Sequence, residues 1–515
     1  MITERPGIRR NLIANVLGGS WGMMLGLLVI PIQIRLLGAE AYGLIGFAMS
    51  LLAIFSFLDF GLATTVTREV AGDTSKNYQF TYDLIETAAT IYWTIALILA
   101  VGLAFGADWI ATHWLEPETL DPAYVAQALR ILAVWLFFAW LQVLYIAILT
   151  GLQRLEILNI IRAGVQTLLQ VGGVVVILLT DDFHLFLVWY TFVAGLAVFL
   201  FTMATRRIIP KLRFRPTFSF AVIKRIRRFS LDVNFITILG IIYTQADRIL
   251  ISMFLPLSTL GYYGAVYKLA SSISMLQVFL NTAMFPVLSA DFNHGEGEKL
   301  QIHYRKYVQI VGYLTGLLTI TFIFYGDKIL TFWVTLQAAE EVLAVFILLC
   351  IGFWLSALTS SCASLILATG NSRALLWINF WGIGVYIAVL LVLLNLLGVT
   401  GLGLAWMLIN IFSLFMALFF MFNRIPTMQQ HNITSSVWHW LRNNLLAFLI
   451  PGGSVFIVVK VMASVTGTDT FWFIWCGLSI ISYTVIGFFM LASDLRQDLI
   501  SIFNRFLKIV RVHNV

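Results

Sequence analysis

The chain has 515 residues, 60% of them apolar and 11% charged, with mean hydropathy +0.92 and a net charge of +7. A soluble domain is about 45–50% apolar and about 25% charged, so charge at this density could not coat the several globules that such a length otherwise implies. With 41 Phe, 16 Trp and 3 Cys, disorder and a disulfide scaffold are excluded too, which leaves a polytopic membrane protein.

A transmembrane helix needs about 20 apolar residues. Long apolar runs predict fourteen, at 11–37, 41–66, 81–106, 123–150, 156–180, 184–206, 230–255, 258–288, 305–326, 340–367, 373–397, 401–423, 437–462 and 470–493. The runs are too long for strands and lack their alternation, so the fold class is all-α. The basic start MITERPGIRRN leads into an apolar run, Leu12 to Leu37, that is too long for a signal peptide and has no small-residue cleavage site; it reads as a retained first span. Gly18, Gly22 and Gly26, four residues apart on that span, predict close helix packing. Cys350, Cys362 and Cys476 each sit in an apolar run, with no C-x-x-C pair or Cys/His cluster, so neither a disulfide nor a metal site is expected. No Walker loop or dinucleotide fingerprint appears, and no cofactor is expected.

Lys and Arg mark cytoplasmic loops. With the N-terminus inside, the segments 1–10, 67–80, 151–162, 206–229, 289–306, 368–373, 424–442 and 494–515 hold 26 of the 32 basic residues. The opposite loops carry Asp108, Glu116, Glu118, Asp121, Asp181, Asp182, Asp327, Glu340, Glu341 and Asp469. Both termini are therefore expected inside. Nine cations fall between Arg206 and Arg228; a loop beside anionic lipid explains them without a nucleic-acid partner. From Leu495 to Val510 the tail reads as an interfacial helix, with Leu499, Ile502, Phe503, Phe506 and Val510 apolar and Arg496, Arg505, Lys508 and Arg511 reaching headgroups.

The basic stretch divides the expected spans into six and eight. A slide of 218 residues lays Gly43-Leu44-Ile45-Gly46 on Gly261-Tyr262-Tyr263-Gly264, each just after an outer turn. Spans one and two thus match spans seven and eight. An even number of spans per repeat predicts parallel halves with a site between them. The organisation expected is a lobe at 1–210, a basic linker at 211–229, a second lobe at 230–428, a helix pair at 429–493 and a cytoplasmic tail at 494–515.

Residues 11–71 resemble the opening of the polysaccharide-biosynthesis flippases, which move O-antigen-type lipid-linked oligosaccharides and belong to the multidrug/oligosaccharidyl-lipid/polysaccharide exporter superfamily. The likeness is carried by Asn11, Asn15, Pro31, Leu37-Gly38 with Tyr42-Gly43, the block Leu58-Asp59-Phe60-Gly61-Leu62, and Arg68. In the second half, Asp247-Arg248 followed by Gly261-Tyr262-Tyr263 is similar to the family's Asp–turn–Gly–aromatic arrangement. The resemblance implies a fourteen-helix transporter with two six-helix lobes around a central cavity and a C-terminal helix pair. It implies a bacterial inner-membrane flippase that turns undecaprenyl-diphosphate-linked oligosaccharides outward for lipopolysaccharide, with membrane lipids, a glycan polymerase and a chain-length regulator as partners. Drug exporters and the lipid II flippase share the fold, so fold alone does not choose the substrate.

A charge in hydrocarbon costs a few kcal/mol, so each one there is a functional candidate. Arg35, Arg248 and Lys268 lie on spans that the repeat pairs, and such cations suit a diphosphate. Asn15, Gln33, Gln245 and Asn281 add hydrogen-bonding groups for sugars. Asp59, Arg68, Glu86 and Asp247 are candidates for coupling or gating ion pairs, with a structural bridge to Arg162 as the alternative for Glu86. An exporter of organic cations would want carboxylates and aromatics to dominate its cavity; Arg35, Arg248 and Lys268 against Asp59 and Asp247 favour an anion. A membrane glycan polymerase or ligase would need a sizeable outer loop, whereas the longest, 107–122, holds no evident catalytic set. Transport rather than catalysis is the expectation.

Overall fold

The computed structural model describes residues 8–72, 78–209, 217–334, 336–429 and 433–501, and along 8–20 the backbone alone. Among the described residues sixteen α-helices precede a last helical segment at 493–501: α1 (Ile8–Leu37), α2 (Ala39–Phe55), α3 (Leu62–Ala71), α4 (Tyr78–Trp109), α5 (Pro122–Gly151), α6 (Leu155–Thr180), α7 (Phe183–Ile208), α8 (Phe220–Phe254), α9 (Leu257–Asn293), α10 (Gly297–Trp333), α11 (Leu336–Ala368), α12 (Ser372–Leu397), α13 (Val399–Arg424), α14 (Ile433–Leu441), α15 (Ala447–Val465) and α16 (Trp472–Met490). A π turn, Arg442–Leu446, joins α14 to α15. No strand occurs among the described residues.

Each of the fourteen expected spans overlaps a helical segment. Twelve described segments are long and apolar enough to cross a bilayer. The other two are α1, whose described apolar part is Trp21–Leu37, and the 35-residue α8. Helices α9 and α10, of 37 residues each, would reach about 55 Å at 1.5 Å per residue. They therefore outrun the hydrocarbon, and α10 starts eight residues before the expected 305.

The second span departs from expectation. It is predicted continuous over 41–66, but α2 stops at Phe55 and a 3-10 turn, Ser56–Asp59, follows. Phe60 (φ 49°) and Gly61 (φ 69°) then both take left-handed conformations before α3 begins. Asp59 makes the restart possible, because its carboxylate accepts from Ala63 N at 3.1 and 3.3 Å, satisfying an orphan donor of the new helix.

The chain forms two compact units, Met1–Ala265 and Val266–Val515. Among the described residues α8 packs on α2, α3 and α4, so it joins the first unit, and α9 runs across 265/266. In the first unit α5 packs on α2, α3, α4 and α7, while α6 lies between α1 and α7. Its core gathers Tyr92, Trp140, Tyr145 and Phe201 with aliphatic neighbours. In the second unit α13 packs on α11 and α12, and α10 packs on α11, α15 and α16. Tyr313 stacks on Tyr483 there, with centroids 5.7 Å apart and planes at 14°.

After α16 a further helix starts at 493 and runs to the last described residue, 501. Leu495 is buried and Leu499 packs beside it. Arg305 donates to Asp494 at 2.8 Å and Lys306 to Asp498 at 2.5 Å. The remainder of the expected interfacial face, Ile502 to Arg511, lies outside the described residues.

Candidate functional site

A chain of polar groups runs through the first unit where α1 ends and α2 begins. Gln33 on α1 is buried, and its Nε2 donates to Gln170 Oε1 of α6 (3.1 Å) and to the Tyr190 hydroxyl of α7 (3.0 Å). Tyr42, in the first turn of α2, lies within electrostatic reach of Tyr190 and Arg248. Arg248 Nη1 points to Gln245 Oε1 at 3.4 Å. Asp247 is buried and accepts from Arg248 N (2.9 Å) and from the Tyr263 hydroxyl. The Asp247–Tyr263 bond joins the two parts of the motif read in spans seven and eight. Gln33, Gln245, Asp247 and Arg248 thus share one neighbourhood, with Arg35 exposed on the last turn of α1 nearby in sequence.

Gln170 and Tyr190 were not singled out by sequence, and Tyr42 and Tyr263 entered only as parts of the family motifs, without a role. Each is a lone uncharged polar group on an apolar helix. The available signal was chemical: a buried amide such as Gln33 needs partners.

Asp59 binds α3 and α4 rather than a cation among its described partners. Besides capping α3 it accepts from the Tyr92 hydroxyl. Arg68 is exposed in the last turn of α3. Glu86 accepts from Thr217 Oγ1 at 3.2 Å, while Thr90 Oγ1 donates to Thr217 O (2.9 Å) and Ser219 N to Thr87 Oγ1 (3.3 Å). Glu86 therefore helps to fasten residues 217–219, the stretch leading into α8, along α4.

The second unit has its own polar network on α9, α10 and α11. Gln277 Nε2 donates to the Tyr307 hydroxyl (3.2 Å), which lies 3.4 Å from Asn281 Oδ1, and Ser364 Oγ donates to the same Oδ1 at 2.5 Å. Lys268 is exposed on α9, two turns earlier. The side chain of Asn15 lies outside the described residues.

Glu40 escaped the sequence reading altogether. It is buried, and its carboxylate accepts from Glu118 N (3.0 Å), Thr119 N (2.8 Å) and Leu120 N (3.0 Å). The same loop is held from the α8–α9 turn, where Leu257 N donates to Glu116 O (3.0 Å) and Ser258 Oγ to Glu118 Oε2 (2.7 Å). Glu40 and Ser258 are 218 residues apart, so both copies of the repeat grip one loop.

Among the described residues no three His, Cys, Asp or Glu side chains gather as a metal site would require. The recurring chemistry is instead hydrogen bonding by amides, phenols and guanidinium.

The sequence profile of the polysaccharide biosynthesis protein family matches residues 8–291. The chain belongs to that family. The matched region spans both hairpins, with the Asp59 block and the Asp247–Tyr263 pair. A Shigella flexneri protein that carries the name O-antigen transporter is 21% identical over 413 residues, covering 78% of this chain and 94% of that protein. Among solved structures, the lipid II flippase MurJ in an inward closed conformation superposes with a TM-score of 0.69 at 15% identity, over 95% of this chain and 100% of that one. An inward-facing multidrug transporter of the MATE family gives 0.59 at 14% identity, over 83% and 97%. The family member is thus a multi-pass membrane protein with the fold shared by these flippases and exporters.

Proposed function

We propose that the protein is a flippase that carries undecaprenyl-diphosphate-linked oligosaccharide repeat units from the cytoplasmic to the outer leaflet by alternating access, for a surface polysaccharide of the O-antigen type. The family match over 8–291 carries this reading; the named relative and the flippase fold over 95% of the chain support it. The protein acts as a transporter and not as an enzyme. It sits in the bacterial inner membrane with both termini cytoplasmic, as the basic loops suggest, and works beside a glycan polymerase and a chain-length regulator. Its working lobes are 1–210 and 230–428, with 429–493 an added helix pair.

Arg35, Arg248 and Lys268 bind the diphosphate, where a guanidinium offers two parallel donors. Asn15, Gln33, Gln245 and Asn281 meet the sugars. Asp247 and Arg68 serve gating, whereas Asp59 and Glu86, bonded as described, hold α3 and residues 217–219 in position.

Deletion tests the reading. Lipid-linked repeat units should accumulate on the cytoplasmic face and the surface glycan should vanish. If the glycan persists while sensitivity to cationic drugs rises, the protein is an exporter instead.

A further inference from the structure

The second unit holds a cavity of about 600 Å³ between the start of α10, the end of α13, and α14 with its π turn. That volume falls within the range of small-molecule sites. It lies at the end of the bundle that bears the basic loops, where the headgroups of one leaflet would stand. Gln301, Gln309, Ser436, His439, Trp440 and Asn443 contribute to its wall.

Three wall atoms lack hydrogen-bond partners among the described residues: Asn444 Oδ1, Thr427 Oγ1 and Trp440 Nε1. Asn444, on the π turn, is 6% exposed. Its Nδ2 donates to Trp440 O at 2.9 Å, which fixes the amide orientation, because only the NH2 can donate to a carbonyl. Its Oδ1 is buried and accepts from no described residue. Among the described residues Thr427 Oγ1 and Trp440 Nε1 are buried without a partner as well. Gln309 accepts from Ala492 N at 3.2 Å through Oε1, so the group it has left is an NH2 donor.

The wall therefore offers an unmet acceptor (Asn444 Oδ1), a hydroxyl (Thr427) and two donors, the Gln309 NH2 and the Trp440 indole N–H. A phosphate or carboxylate cannot serve Asn444 Oδ1, because it accepts only. An ammonium donates only, so it would leave the Gln309 NH2 and the Trp440 N–H without an acceptor. A hydroxyl does both, so vicinal hydroxyls can donate to Asn444 Oδ1 and accept from the Gln309 NH2 and the Trp440 N–H.

We propose that this cavity binds an uncharged polyhydroxyl group, the headgroup of a membrane lipid. Two lipids share that chemistry, a glycerol-headed phospholipid and a glycan-bearing lipid. The inference does not rest on the flippase reading, since the first source would fill the site whatever the protein transports.

The test uses the full chain in an amine-oxide detergent, which has no sugar to compete. Dioctanoylphosphatidylglycerol, dioctanoylphosphatidylethanolamine and the host's isolated lipid-linked glycan are titrated separately, with retained lipid read by native mass spectrometry. At least one polyhydroxyl lipid should bind about tenfold more tightly than the ethanolamine lipid. Asn444→Leu and Thr427→Val should each weaken it about tenfold. Gain with the glycan lipid alone assigns the site to the transported class; gain with the glycerol lipid assigns it to bulk lipid. Equal binding of the ethanolamine lipid overturns the proposal, as does unchanged binding in both folded variants. Should Asn444→Leu fail to fold, the near-isosteric Thr427→Val, with Ser436→Ala beside it, decides alone.

Discussion

Gly43 and Gly261 lie backbone against backbone. A Cβ added to Gly261 would fall 3.0 Å from Gly43 N and 2.1 Å from Ala39 O, and one added to Gly43 would fall 2.3 Å from Leu257 O. These are the two glycines that the 218-residue slide superposes, so the internal repeat brings its own copies together, at the start of α2 and of α9. No side chain fits between carbonyls at that range.

Gly43→Ala and Gly261→Ala should each destabilise the fold by about 1–3 kcal/mol through overpacking. The readout is the thermal midpoint of purified protein. Gly46→Ala, where the new Cβ meets nothing within 4 Å, should behave as wild type. Because the two sites touch, the double variant should cost less than the sum of the singles.

Asp59 separates two roles cleanly. If it caps α3 and receives the Tyr92 hydroxyl, Asp59→Asn keeps an acceptor for Ala63 N and should retain most surface glycan. Asp59→Ala should lose about 0.5–2 kcal/mol, the usual loss when a cap is removed. Quantified surface glycan and melting of both variants check this. Loss of transport in a stable Asp59→Asn protein would show instead that the ionised carboxylate itself is used.

How far the sequence could be read follows from the scale of each feature. Helices were legible because burial in lipid demands about 20 apolar residues at a stretch, and that signal is written locally. The break after Asp59 was not, because hydropathy continues through Phe60 and Gly61 while the backbone reverses hand. Gln33 announced itself as a polar group in an apolar run, yet nothing local points to Gln170 or Tyr190, which lie more than 130 residues away. Glu40 hid in a loop-side position, where an acidic residue needs no explanation. The added extent of α10 was missed because its first residues are polar. Its early turns lie beyond the hydrocarbon and fasten the 493–501 helix.

That fastening has a pH sign. Burial pulls the Asp494 carboxyl up, but the Arg305 hydrogen bond and charge, with Lys306, outweigh it and hold it below the ordinary carboxylate value. A depressed carboxylate contributes stability above its unfolded pKa and loses it as pH falls through the folded one. Docking of 493–501 should therefore be constant from pH 8 to pH 5 and weaken only under strongly acid conditions. Exposed pairs are worth about 0.2–1 kcal/mol and are screened by salt, so raised ionic strength should loosen the helix at neutral pH. Hydrogen exchange over 493–501 measures both, and Asp494→Asn with Asp498→Asn should mimic the acid state.

Glu40 predicts a local opening. One carboxylate serves three backbone donors, and a hydrogen bond to a charged group contributes about 1.5–3 kcal/mol. Glu40→Ala should sharply accelerate exchange of the amides of Glu118, Thr119 and Leu120. Glu40→Gln, with a single carbonyl, should fall between. Uniform protection in all three proteins would mean that the loop is held from the α8–α9 turn alone.

The proposed diphosphate cations make the most direct functional test. Arg35 and Lys268 are exposed on helices that the repeat pairs, one in the first unit and one in the second. A hydrogen bond to a charged group is worth about 1.5–3 kcal/mol, and each 1.36 kcal/mol is a factor of ten in rate. Arg35→Gln or Lys268→Gln should therefore cut transport about tenfold or more, read as surface glycan per folded protein in the membrane. Lys268→Arg keeps the charge and should retain more activity than Lys268→Gln. Should both glutamine variants transport normally, the cations do not bind the headgroup. Should both vanish from the membrane, their role is structural; wild-type amounts of inactive protein are the outcome that assigns them to the substrate.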